Sequence, residues 1–285
     1  MNIWKTIISL LLTLSISVVY GDYAVVPNDV HKAYTQLLKN RSALDITDYS
    51  GSHTNRDVVE AIIWQQALKK GGYNKTINIE ALDITYSRVI LEIKHGTIAA
   101  FANSVWLDDI EGHENYKELF YITEAVIPEH KFYAGFYTTP DRVNQINIKD
   151  KDSLSNYKFS CNRHWKKDNE LLKHLNADCM FSNTWKATVD KLKNKHADIV
   201  LAPFQASKDM SLIAFGEKLV PVPNVKTSLP GKRVFIISKK SRNGEALIKA
   251  LNKGIRLMHK EGLIEKAYEQ SGFYNHKTKE WKLID

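Results

Sequence analysis

One unit occurs twice in this chain, and that repeat constrains the fold more than any other feature. Residues 89–106 read VILEIKHGTIAAFANSVW, and residues 189–205 read VDKLKNKHADIVLAPFQ. Each runs from a helix end through a basic turn into a short apolar strand with a polar or aromatic exit. At a shift of about one hundred positions, Ile93 falls on Leu192, Gly96 on Lys195 and Ala100 on Ile199. Two such units predict two similar α/β lobes. In lobes of that kind the strand exits face a ligand crevice, so the repeat also predicts which loops line it.

The first 21 residues are expected to lie outside the fold. Lys5 precedes an apolar run over residues 7–19, and Val19 and Gly21 supply the small residues of a cleavage site. This pattern predicts a secretory signal peptide over residues 1–21; the run is short for a bilayer span. The expected location is therefore exported, in the periplasm. In such an oxidising compartment the two cysteines, Cys161 and Cys179, are expected to form a disulfide, with two buried free thiols as the alternative. Neither has the spacing of a metal site. The net charge is +8. The basic residues are dispersed and not interleaved with aromatics, which argues against nucleic-acid binding.

Residues 22–42 read as an N-terminal extension carrying one helix, with Val30, Ala33, Tyr34 and Leu37 on one face. A short strand is expected at 43–48, then a helix capped by Thr54 or Asn55 and stopped at Gly71-Gly72. Strands and helices alternate from there, ending in an amphipathic helix over residues 243–260 and a shorter one over 263–268. The chain is expected to leave lobe one near Thr138 and re-enter near Arg233. Lobe one then holds residues 43–137 and 233–285, and lobe two holds residues 138–232. Two extended crossings of this kind make a hinge.

Candidate ligand contacts follow from the strand exits. Tyr49, Ser50 and His53 follow the first strand of lobe one. Asn103, Ser104 and Trp106 leave the first repeat strand, and Phe204 and Gln205 leave the second. Apolar walls with a few aimed polar groups suit a small-ligand cleft. Arg163, His164 and Trp165 stand between a strand and a helix, where free backbone N–H groups attract anions and Arg163 can clamp one. The competing readings are a solvated loop for Arg163 and His164, a surface position for His53 and a core position for Trp106.

Four segments together resemble a known family: VILEIKHGTIAAF, YITEAVIPEHKFYAGFY, LKNKHADIVLAPF and the tail GEALIKALNKGIRLMHKEGLIEKAYEQSGFY. The chain resembles bacterial extracellular solute-binding proteins of the two-lobed type II periplasmic kind, the family that includes the amino-acid-binding proteins of ABC importers. The resemblance implies an α/β clamshell with two hinge crossings. It further implies a monomer without cofactor or metal, whose partners are a small-molecule ligand and a membrane permease or membrane receptor. Two family features are missing. No Arg stands in residues 103–109, where amino-acid binders carry the carboxylate clamp. No acid stands in residues 202–206, where they carry the ammonium partner. An ordinary α-amino acid is therefore not the expected ligand. Relatives of this fold also include cyclohexadienyl dehydratases, for which His53, His164 and Glu124 are the available acid–base groups, but no spacing pairs them. The leading expectation is a non-enzymatic binding protein.

Overall fold

A computed structural model describes residues 23–285. The expected signal peptide lies outside the described residues. The elements are β1 (Tyr23–Pro27), α1 (Asn28–Leu38), α2 (Arg56–Lys70), β2 (Asn78–Leu82), α3 (Tyr86–His95), β3 (Ala100–Trp106), α4 (Leu107–Glu111), α5 (Tyr116–Leu119), β4 (Phe120–Ile127) and β5 (Phe132–Thr138). They continue through β6 (Lys158–Asn162), α6 (Lys166–His174), β7 (Asp178–Ser182), α7 (Trp185–Lys193), β8 (Val200–Pro203), β9 (Leu212–Ala214), β10 (Glu217–Pro221) and β11 (Val225–Leu229). The last are β12 (Arg233–Ser238), α8 (Gly244–Lys260), α9 (Leu263–Gln270) and β13 (Lys282–Leu283).

The first sheet has the order β2-β1-β3-β12-β4. Strand β1 runs parallel to β2 and β3, and β12 runs antiparallel to β3 and β4. Helix α3 covers one face through Val89, Ile90 and Ile93. Helices α2 and α8 cover the other through Ile62, Ile63, Leu251 and Ile255. A sheet covered on both faces needs strands without alternation, and β3 (AFANSVW) is buried at every position. In the second half β8, β10 and β11 all pair antiparallel with β5. Strands β6 and β7 pair in parallel, and a parallel bridge from Phe159 to Ile199 joins them to the start of β8. The spatial sequence β7-β6-β8-β5-β10 thus repeats the plan of the first sheet.

The sequence repeat is reproduced bond for bond. Gly96 ends α3 at φ 82°, and Lys195 follows α7 at φ 58°. Gly96 N donates to Ile93 O at 3.0 Å, as Lys195 N does to Leu192 O. One residue on, Thr97 N donates to Glu92 O at 3.0 Å and His196 N to Lys191 O at 2.8 Å. Both are left-handed caps with paired return bonds, which turn the chain from helix into strand.

Three expectations need correction. The supposed N-terminal extension contains β1, which lies between β2 and β3 in the first sheet. Its five residues, YAVVP, follow the apolar run of residues 7–19 after only Tyr20-Gly21-Asp22, too short a break to set the strand apart as an element of the fold. Residues 43–48 do not form a strand. Ala43–Asp45 is a 3₁₀ turn, capped by Ser42 Oγ accepting from Leu44 N at 3.2 Å. The chain also changes sheets earlier than expected, at residues 128–131 rather than near Thr138, because β5 pairs wholly within the second sheet. The return is at residues 230–232.

Cys161 of β6 and Cys179 of β7 are disulfide-bonded. The tail past α9 then leaves the first lobe. Strand β13 pairs with β11 of the second sheet, and Asn275 Nδ2 donates to Gln205 O at 3.1 Å. At this crossing Gly272 is required: a Cβ there would sit 2.2 Å from Ala206 N.

A candidate ligand cleft between two sheets

The exits of β1, β3 and β8 and the start of α6 open onto one cleft of about 1390 Å³. Its floor is an ion cluster built at the start of α2. Asn55 caps that helix, its Oδ1 accepting from Val58 N at 3.0 Å, and this places Arg56, Asp57 and Glu60 on the first turns. Arg56 reaches Asp57 Oδ1 at 2.6 Å through Nη2 and Glu60 Oε1 at 3.0 Å through Nη1. Glu60 is fully buried and also accepts from Ser104 N at 2.8 Å, Ser104 Oγ at 2.7 Å and Tyr268 OH at 3.2 Å. Arg233, at the start of β12, donates from Nε to Ser104 Oγ at 2.8 Å and from Nη2 to Ser104 O.

The two guanidiniums share one aromatic partner. Arg56 lies 5.3 Å and Arg233 5.5 Å from the Phe132 ring centroid, and Arg233 also lies 4.8 Å from Trp106. Phe132 is the first residue after one sheet crossing and Arg233 the first after the other, so the cluster sits at the hinge. Burial pushes the Glu60 carboxyl up. Arg56, Arg233 and the Ser104 donors outweigh that and hold it below its ordinary value. Asp168, on the first turn of α6, has fewer donors. Burial pushes its carboxyl up to about 6 against the pull of Arg233 and Arg56.

The structure brings eight of the expected contacts onto the cleft wall. Ser50, His53, Asn103, Ser104 and Trp106 lie on the side of the first lobe, and His164, Trp165 and Gln205 on the side of the second. His164 Nδ1 lies 3.2 Å from Ser87 Oγ of α3, which bridges the lobes. Trp165 packs against Trp185, ring centroids 5.3 Å apart. Three expected residues stand elsewhere. Tyr49 is in the core under α2, its OH donating to Gln66 Oε1 at 2.6 Å. The expectation that Tyr49 faces the cleft rests on reading residues 43–48 as a strand; the strand that opens on the cleft is β1. Phe204 is buried, edge-on to Trp281 at 5.5 Å. Arg163 turns outward, with Nε donating to Asn183 Oδ1 at 3.3 Å and its guanidinium over Phe181 at 5.5 Å. The tight turn in which His164 N donates to Asn162 Oδ1 at 2.9 Å directs it away.

Sequence reasoning missed Arg56, Asp57, Glu60, Asp168 and Arg233. Two signals were present. Glu60 interrupts the apolar run VVEAII, and Arg233 opens the apolar strand RVFIIS. Charges set into apolar faces are rare unless paired.

No protein-family model matches the chain, and no curated protein matches it. Solved structures do. An amino acid ABC transporter substrate-binding protein from Streptococcus pneumoniae, bound to L-arginine, superposes with a TM-score of 0.51 at 16% identity, covering 75% of this chain and 82% of that one. The periplasmic VFT2 domain of BvgS from Bordetella pertussis gives 0.50 at 13% identity, covering 74% and 83%. With the repeated sheet plan, the paired crossings and the cleft between the sheets, these likenesses define the architecture: the chain has the two-lobed α/β fold of type II periplasmic binding proteins.

Proposed function

We propose that this protein is an exported solute-binding protein that captures a small polar molecule between its lobes and delivers it to an ABC importer. The observation that carries this reading is the cleft itself. It lies at the strand exits of both halves, holds about 1390 Å³ and combines aromatic walls with a few convergent charged groups. Lobe one comprises the elements of the first sheet and lobe two those of the second, closing about residues 128–131 and 230–232. Asn103, Trp106, His164, Trp165 and Gln205 are the proposed contacts from the two sides.

The importer role draws on the likeness to a transporter's substrate-binding protein. The likeness to a BvgS periplasmic domain supports a second reading, in which the same cleft serves a membrane receptor. A thermal-shift screen against small polar metabolites tests the shared core of both. A ligand at about a hundredfold its Kd stabilises the folded state by about 2.7 kcal/mol. A hit should be weakened by Trp165→Ala. Hits that ignore every cleft substitution would remove the proposal. Pull-down of the ligand-loaded protein on permease or receptor membranes separates the two roles.

A further inference from the structure

The wall of the cleft carries a buried acceptor without a donor. Asn103 is 2% exposed and its Oδ1 has no hydrogen-bond partner. Its Nδ2 donates to the Asp57 carbonyl at 2.6 Å, which assigns the two ends of the amide. A buried oxygen left unpaired is costly, and native structures leave few of them without a reason. Asn103 lines the cleft, so a bound molecule can supply the missing donor.

The charge beside it has a sign. Asp57 follows Arg56 on α2, and its carboxylate uses Oδ1 to accept from Arg56. Among the described residues Oδ2 makes no hydrogen bond, and the side chain keeps 35% of its surface open. Four carboxylates, Asp29, Asp57, Asp83 and Asp168, line the cleft against three cations. All three cations are already engaged: Arg56 by Asp57 and Glu60, Arg233 by Ser104, and Lys186 by Asp190. A chain of net charge +8 thus places an excess of acid in its cleft. That arrangement attracts positive solutes and disfavours anions.

We infer that the cleft takes a small organic cation, an amine whose ammonium donates to Asn103 Oδ1 and to the Asp57 carboxylate, with Asp168 facing it from the second lobe. The inference rests on the solute-binding reading above and names the ligand class for it. An ammonium has three donors and no acceptor, which matches the two open acceptors Asn103 Oδ1 and Asp57 Oδ2; the neighbouring Arg56 Nε is a buried donor that also lacks a partner. Asp168 adds a pH signature. The groups around it are Arg233 from β12, Arg56 from α2 and Asp109 from α4. Its carboxyl titrates at about 6, and a bound cation favours the ionised form, so amine affinity rises from pH 5 to pH 7.

The test uses matched probes on residues 22–285: tyramine against 4-hydroxyphenylacetate, and cadaverine against glutarate. Each pair shares a skeleton and differs in the sign of its end groups. Thermal shift ranks them and calorimetry gives Kd. At least one amine should bind and its acid partner should not. Asn103→Ala and Asp57→Asn should each weaken that amine by about 10–100-fold. Should either variant fold poorly, Asp168→Asn supplies the second reading, because it should flatten the rise in affinity between pH 5 and pH 7. Binding of an acid but no amine, with sensitivity to Asn103→Ala, would overturn the cation inference and leave the solute-binding reading standing. Binding of neither class, here or in the broader metabolite screen, would overturn both.

Discussion

Replacing Glu60 with Gln tests the ion cluster at the cleft floor with almost no change of shape. Glu60 presents two oxygens to four donors. Arg56 Nη1, Ser104 Oγ and Tyr268 OH meet Oε1, and Ser104 N meets Oε2. A Gln amide must place its NH₂ on one of these sides. The less damaging choice keeps the carbonyl on the three-donor side and sets the NH₂ against Ser104 N–H. Ser104 is fully buried, so its N–H is then left unpaired, at about 1–3 kcal/mol. The negative charge beside two guanidiniums is also lost. Arg56 keeps Asp57 at 2.6 Å, which holds the total near the low end of the usual range for breaking a buried ion pair, about 3 kcal/mol. Urea unfolding at pH 7, followed by far-UV circular dichroism, should show a lower midpoint with an unchanged slope. The deficit should also depend on pH. Glu60 ionises below its ordinary 4.5, so its contribution is present above that value and is lost as pH falls through the depressed native value. Wild type and Glu60→Gln should therefore converge in acid. A loss below about 1 kcal/mol at pH 7, or a deficit that does not shrink in acid, would refute the assignment of Glu60 as the anion that holds the cluster together.

Three further outcomes are expected. Asp168→Asn should stabilise the ligand-free protein above pH 6 and leave it unchanged near pH 4: the raised native value, about 6 against an ordinary 3.8, means stability is lost as pH rises through that window. The gap corresponds to about 3 kcal/mol at full burial and about 1–2 kcal/mol with the partial solvent contact of this side chain, read as a difference between pH 4 and pH 8 melting curves. Removing the Cys161–Cys179 bridge by double Ala substitution opens a loop of 18 residues and should cost about 3 kcal/mol in denaturant titration; an unchanged midpoint would show that the β6–β7 pair needs no cross-link. Lys195→Gly should raise stability by about 0.5–1 kcal/mol, since Lys195 holds the left-handed cap that Gly96 holds in the first lobe, and a loss instead would show that the Lys195 side chain contributes more than its backbone strain costs.

What the sequence discloses here depends on how local the cause is. The repeat is local: a helix end, a left-handed cap and a strand fit within about 17 residues, and the same return bonds form in both copies. The cleft walls at Asn103, Trp106 and Gln205 follow from those local units, and those at His164 and Trp165 from the exit of β6, because a strand exit has a fixed direction once the sheet is placed. The disulfide is legible as an isolated cysteine pair in a chain expected to be exported, the two cysteines standing on neighbouring strands. The cluster of Arg56, Glu60, Ser104, Arg233 and Tyr268 has no local cause. Its members come from α2, β3, β12 and α9, and only packing of those four elements brings them within hydrogen-bond reach. A single-chain pattern can flag Glu60 and Arg233 as charges in apolar runs, but it cannot pair them.

The tail is the other non-local feature, and it bears on how the cleft works. Residues 128–131 and 230–232 are the two crossings expected of a hinge. The segment after α9 makes a third connection: Gly272 lies against the backbone of Gln205 and Ala206, Asn275 bonds to Gln205 O, and β13 joins β11. Lys226 Nζ then donates to the carbonyls of Thr278 and Lys279, at 2.7 and 3.1 Å. A hinge with two strands can bend and twist, and this third strand crosses beside them, with Phe273 packed on Phe132 at 5.0 Å, so a closing motion bends three strands together. Gln205 is both the residue under that tether and part of the cleft wall. Any closure that moves the second lobe toward Asn103 must therefore carry the tail with it, because the tail is bonded to that lobe at Gln205 and along β11.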